Sequence, residues 1–198
     1  ENQTGQPLIN GQGINNVFLI AGQNVTISDF HIVNNGGGID DWMIIIIWPH
    51  AEYCSISNNT LCYSSNSILY CGSNYSTIIN NSIRYAGFNG GICLGYPGHH
   101  NVISGNIIDR CPIGIYFWGG NYNTIVGNRI SNCSSGVNLA GGANIFQYNT
   151  FENNSVGLNI YQSEFNIVKE NNFIHNTYQA SFGEAFGVYT NRWIHNYW

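Results

Sequence analysis

Three carboxylates are the groups in this sequence best suited to chemistry. Asp40 and Asp41 follow the run Gly36-Gly37-Gly38, and Glu52 closes Pro49-His50-Ala51-Glu52 a short apolar stretch later. A pair of carboxyl groups can act as acid and base on a glycosidic bond when spacing and pKa values cooperate. Trp42 stands beside the pair. The same two aspartates also suit a plain turn after three glycines. Lyase chemistry would need an Arg or Lys as base beside an acidic sugar. With 5 Lys and Arg in all, and Lys169 the one lysine, a site for polyuronates finds little support.

Other chemistries find less. The six cysteines include no C-x-x-C, the six histidines form no H-x-x-x-H pair, and His99-His100 are simply adjacent. No metal site or cofactor is expected from such spacing. Gly11-Gln12-Gly13 reads as a turn, not as a phosphate cradle, and no dinucleotide fingerprint or activated serine motif occurs.

The elements that would carry these residues follow from an internal repeat. Eight segments superimpose without gaps, beginning at Val25, Cys54, Ser76, Asn101, Asn123, Asn144, Asn166 and Asn191. Their starts lie 21 to 29 residues apart, 22 most often. The third column reads Ile27, Ile56, Ile78, Ile103, Ile125, Phe146, Val168, Trp193, and the eighth Ile32, Leu61, Ile83, Ile108, Ile130, Phe151, Phe173, Trp198. The sixth column is Asn59, Asn81, Asn106, Asn128, Asn149, Asn171 and Asn196, with Phe30 the exception. Between segments lies an in-out-in strand, led by Gly in Gly114-Ile115-Tyr116-Phe117, Gly136-Val137-Asn138-Leu139 and Gly157-Leu158-Asn159-Ile160. Strands this short at a fixed period cannot bury a face alone, whereas stacked coils share one core. The pattern predicts an all-β chain: a right-handed parallel β-helix, a solenoid of about eight coils of ~22 residues held by an asparagine ladder. Asn suits such a column because its amide both donates and accepts and because it tolerates left-handed turns.

The repeat assigns sides to the remaining candidates. One outward column reads Ile47, Leu69, Cys93, Tyr116, Asn138, Asn159, and the next Pro49, Cys71, Gly95, Trp118, Ala140, Tyr161. Tyr116 and Trp118 could stack on sugar rings, or the apolar half of the face could be covered by another domain or subunit. Insertions fall at about Asn35 to Trp42, Ala86 to Gly91 and Tyr178 to Phe186, and the first two could wall a groove. Arg84 and Asp109 share a column and read as a surface ion pair. Cys111 and Cys133 share another, close enough for a disulfide or for two stacked free thiols.

Composition bounds the rest. Charged residues are 8% and the net charge is −5, so nucleic acid is an unsuitable partner. No apolar run reaches the ~18 residues of a membrane span. Asn supplies 32 residues. Seven glycosylation sequons begin at Asn2, Asn24, Asn58, Asn74, Asn80, Asn132 and Asn153, either marking an exported glycoprotein or following from Asn abundance. Glu1 is no start methionine, so residues 1–198 are expected to be one domain, processed or excised from a larger exported protein.

The repeat, with Leu8-Ile9-Asn10-Gly11-Gln12-Gly13 near the start and Asn196-Tyr197-Trp198 at the end, resembles the NosD-type β-helix proteins. These belong to the carbohydrate-binding and sugar-hydrolase β-helices related to pectate lyases. Asn10 stands where that pattern has an acidic residue, and His195 where it has glycine. The resemblance covers essentially the whole chain and implies a β-helix at the cell surface or outside the cell. It also implies continuation beyond Trp198, or packing of the ends on other subunits, because no polar cap closes the stack. Two functions follow as expectations. One is a surface module that binds polysaccharide or packs with neighbours, with Trp42, Ile47, Leu69, Tyr116, Trp118 and Tyr161 as its binding residues. The other is a glycan-degrading enzyme, a hydrolase more than a lyase, with Asp40 or Asp41 and Glu52 as its acids in a groove beside aromatics.

Overall fold

A computed structural model describes residues 5–13, 15–34, 43–182 and 191–198. The chain winds through three parallel sheets of eight strands, one strand per sheet in each coil. One coil shows the plan: Ile107–Asp109 in the first sheet, Ile113–Phe117 in the second, Thr124–Val126 in the third. Every strand pairs with its equivalents one coil away, in register, as in Ile83↔Ile108↔Ile130. The protein is a right-handed parallel β-helix of eight coils. Among the described residues no helix is long and apolar enough to cross a membrane.

The three sheets bury their residues differently. Three-residue strands of the first and third sheets point the middle residue inward, so Ile32, Leu61, Ile83, Ile108 and Ile130 form one buried column and Ile56, Ile78, Ile103 and Ile125 another. Strands of the second sheet point the middle residue outward and bury its two neighbours, as in Ile115 and Phe117 around Tyr116. Stacking identical positions places like on like, and Phe151 lies on Phe173 at 4.9 Å.

Each corner repeats one device. A residue with positive φ faces solvent, and its successor turns into the interior. Among the described residues 21 non-glycine residues take this left-handed conformation. It is disfavoured for most side chains, so the stack dictates it. Asn58, Asn80, Asn132 and Asn153 occupy such positions, but so do Tyr53, Tyr75, His100 and Tyr122. The successors form buried columns: Asn59 to Asn171 between the third and first sheets, and Asn101, Asn123, Asn144 and Asn166 between the second and third. In Asn106 the amide is saturated. Its Oδ1 accepts from Asn81 N (2.9 Å) and Asn81 Nδ2 (3.1 Å), while its Nδ2 donates to Ile78 O (2.8 Å) and Asn128 Oδ1 (3.0 Å). At the Phe30 break the main-chain N–H of Phe30 donates to Asn59 Oδ1, so the stack of amides starts one coil late.

Cys54 stands in the second of these columns, and Cys111 and Cys133 in a third, between the first and second sheets, that continues as Asn154 and Asn176. Cys111 and Cys133 are free thiols in the structure, not a disulfide, as are the other four cysteines. Burial pushes Cys111 up to about 12 and Cys133 up to about 11.

Candidate functional site

The outer face of the second sheet is the surface where sequence and fold concentrate unusual residues. Its central outward column is Leu19, Ile46, Tyr70, Cys93, Tyr116, Asn138, Asn159 and Ser181. This corrects the column read from sequence. Ile47 and Leu69 point inward and are fully buried in the core, because Ile45-Ile46-Ile47 and Leu69-Tyr70-Cys71 sit one residue out of the expected register. A one-residue slip moves every side chain of a strand to the other face. Ile46 and Tyr70 take the outward places. The next outward column runs Trp48, Gly72, Gly95, Trp118, Ala140 and Tyr161; the amides of Trp48, Gly72, Gly95, Trp118 and Tyr161 each bond the coil before. Trp48 therefore replaces Pro49 there, and Cys71 is buried.

Trp48, Trp118 and Tyr161 are 53%, 66% and 49% exposed, and Tyr70 and Tyr116 are half-buried. Trp48 and Tyr70 line a shallow apolar hollow of about 290 Å³ with Met43, Ile46 and Pro49. Tyr70 does not stand off the sheet. A Cβ on Gly95 would collide with its Oη and Cζ, and a Cβ on Gly72 would lie 3.0 Å from its Cε1. The ring lies down across the two glycines. Cys93, which follows Tyr70 in the central column, is 3% exposed.

The eight strands of this sheet hold no charged residue. The cations stand elsewhere: Arg84 and Arg129 on the first sheet, Arg110 at the corner between first and second, Lys169 and Arg192 on the third. Arg84 and Asp109 are register partners, yet Asp109 accepts from Ser131 Oγ and Asn132 Nδ2 and lies 3.8 Å from Arg110.

The border between second and third sheets adds a polar row and an aromatic row. Glu52 Oε1 accepts from Asn74 Nδ2, Asn74 Oδ1 accepts from His99 N, His99 Nδ1 accepts from Asn121 N, and Asn121 Oδ1 accepts from Gly142 N. Beside them Tyr53, Tyr75, His100 and Tyr122 stack nearly parallel, with centroids 5.1–5.3 Å apart. Tyr96 meets His99 edge-on at 6.1 Å. Burial, then the neighbouring His100, holds His99 below the ordinary imidazole range. None of these border aromatics was singled out from sequence. Their regular recurrence just before the buried corner position is the signal that could have found them.

Asp40, Asp41 and Trp42 lie outside the described residues, so Glu52 is the single described member of the expected acid set, and it is engaged with Asn74. Of the expected insertions, 35–42 lies outside the described residues, and Tyr178–Phe182 is a regular strand of the second sheet. Among the sequons, Asn24, Asn58, Asn80, Asn132 and Asn153 are exposed corner residues and Asn74 is half-buried, while Asn2 is outside the described residues.

A family model described as "Periplasmic copper-binding protein (NosD)" matches residues 2–197. A comparison with curated proteins finds no match. Among solved structures the chain is similar to the periplasmic alginate epimerase AlgG, with a TM-score of 0.67 and 14% identity, covering 87% of this chain and 49% of that one. It is also similar to the A-module of the Azotobacter vinelandii mannuronan C-5 epimerase AlgE4, at a TM-score of 0.69 and 13% identity, over 88% of this chain and 60% of that one. The chain thus spans about half to three fifths of these two structures, and at such identity the likeness is one of fold. The copper in the family's description finds no matching donor set among the described residues. Among the described residues no three His, Cys, Asp or Glu side chains converge. The cysteines are buried, and burial keeps Cys71, Cys93, Cys111 and Cys133 protonated, whereas a metal ligand must be a thiolate.

Proposed function

This chain belongs to the NosD family, and we propose that it is an exported β-helix, in the cell envelope or beyond, that holds a neutral polysaccharide along the outer face of its second sheet. The observation that carries this is the face itself: eight uncharged strands presenting Trp48, Tyr70, Tyr116, Trp118 and Tyr161. Aromatic rings with apolar faces and polar rims suit sugars, which are apolar on their C–H faces and polar at their edges. A uronic-acid chain would need Arg or Lys to match its carboxylates, and all five cations lie off this sheet. The family's description as periplasmic supports the location, and the polysaccharide epimerases among its structural likenesses support a polysaccharide as ligand; its neutrality rests on the uncharged face alone.

Affinity electrophoresis and calorimetry with soluble glucan, mannan, galactan and polyuronates test this. At least one neutral polymer should bind, and Trp118→Ala should weaken it about tenfold, the loss of one stacked ring. Binding of polyuronates alone, or of no polymer, overturns the proposal. So does burial of the face by self-association, read as a concentration-dependent mass that Trp118→Ala abolishes.

A further inference from the structure

Two coils separate Trp48 from Trp118 in the outward column, and both carry glycine there, Gly72 and Gly95. A side chain at Gly95 would stand where the Tyr70 ring now lies, and one at Gly72 would press against the ring's edge. A tyrosine on the outward face of a strand ordinarily stands roughly perpendicular to the sheet. Here the paired glycines let it fold flat into the gap. The result is a strip of three aromatic groups, Trp48, Tyr70 and Trp118, the first two lining one hollow. It runs along the solenoid axis for three coil steps, about 14 Å at ~4.8 Å per coil.

We propose that Tyr70, laid over Gly72 and Gly95, is the central platform of this strip and that the strip seats one neutral glycan chain lying along the axis, about three sugar residues long. The inference rests on the reading of this face as a polysaccharide surface and adds its register and length. An extended hexose chain advances by roughly one coil spacing per residue, so a chain along the axis meets one ring after another. A chain lying across the axis would meet a single ring and then the corner. The hollow between Trp48 and Tyr70 gives the first residue a concave apolar seat. Gly95 acts as a positioning residue through the ring above it.

The test uses the whole chain, with gluco-, manno- and galacto-oligosaccharides from disaccharide to hexasaccharide as probes in calorimetry. Affinity should rise steeply to about the trisaccharide and flatten beyond it. Tyr70→Ala and Gly95→Ala should each weaken the best oligosaccharide about tenfold. Because Gly95→Ala acts by displacing the ring, adding it to Tyr70→Ala should cost no further affinity, a strong coupling in a double-mutant cycle. Should Gly95→Ala fail to fold, Tyr70→Leu carries the same expectation. If the unmodified chain binds no neutral polymer or oligosaccharide, the reading of the face falls with the inference. If it binds and Trp118→Ala weakens binding, but Tyr70→Ala and Gly95→Ala bind as the unmodified chain does, the platform alone is refuted. Additive losses in the cycle refute the role of Gly95.

Discussion

Replacing Asn106 by alanine removes a buried amide whose four hydrogen-bonding positions are all filled. Asn81 N–H loses its acceptor outright, since the 2.9 Å bond to Asn106 Oδ1 is its partner at the corner. Asn81 Nδ2 is less affected, because it also donates to Ile56 O at 2.9 Å and Ile79 O at 3.1 Å. Asn128 Oδ1 keeps the bond from the main chain of residue 106. The loss therefore concentrates on one orphaned buried N–H, about 1–3 kcal/mol, and on the two bonds that Asn106 Nδ2 makes, about 0.5–1.5 kcal/mol each. A destabilisation of about 3 kcal/mol follows, which for a chain of this size lowers Tm by about 6–12 °C. Urea unfolding followed by far-UV circular dichroism measures it. Asn159→Ala is the control: Asn159 sits on the outer face with a single long bond of 3.3 Å to Asn138, and its loss should shift stability by under about 0.5 kcal/mol. Equal and small effects for the two variants would refute the view that the corner amides hold the coils in register.

Other outcomes follow from the same geometry. In native protein near pH 8 the thiols should resist Ellman's reagent, because burial pushes Cys71 and Cys133 up to about 11 and Cys93 and Cys111 up to about 12; all six should react after unfolding. Rapid native labelling would contradict their burial. His99 is held below the ordinary imidazole range, so the unfolded chain takes up its proton first as pH falls through about 6.5. Stability should therefore drop below that pH and be full above it, and His99→Gln should flatten this slope in Tm measured from about pH 8 to pH 5. Gly136→Ala would drive a Cβ into the carbonyl oxygen of Gly157 and toward the Phe151 ring, and should cost about 2–3 kcal/mol in denaturant unfolding.

How far the sequence reveals this fold depends on which column is read. The corner asparagines and the single inward residue of the first and third sheets are legible because one polar and two apolar positions recur at fixed offsets. The second sheet is less so. In its later coils Gly114, Gly136 and Gly157 mark where each strand starts, and Tyr116, Asn138 and Asn159 were placed outward, as they are. In the early coils no such mark exists. Met43-Ile44-Ile45-Ile46-Ile47-Trp48 is apolar at every position, so periodicity cannot say which isoleucine faces out, and the outward places fall to Ile46 and Tyr70 rather than to Ile47 and Leu69. Tyr178–Phe182, the described part of the expected Tyr178–Phe186 insertion, lacks the glycine and the strong inward residues of its predecessors, yet it pairs with Val156–Ile160. Family resemblance was legible over the whole chain, because it rests on the repeat.

Corner geometry also separates what the solenoid requires from what it does not. At Asn58, Asn80 and Asn153 a left-handed asparagine precedes a buried asparagine, and a serine or threonine then opens the next strand or stands just before it. At these three corners the sequon coincides with the turn: its first residue takes the left-handed position, which in the column of Asn58 and Asn80 passes to Gly105, Gly127, Tyr148 and Glu170 in the other coils. The same reasoning cannot account for Gly72 and Gly95. Neither has a positive φ, and the outward column is open to bulky residues one coil to either side, at Trp48 and Trp118. Both lie just past the ends of Leu69–Cys71 and Ile92–Leu94, buried against the Tyr70 ring. What the two glycines make possible is the flat seating of Tyr70 in the gap. A departure that the fold does not need, occurring twice in adjacent coils between two exposed tryptophans, is where selection for a ligand rather than for the solenoid is to be sought.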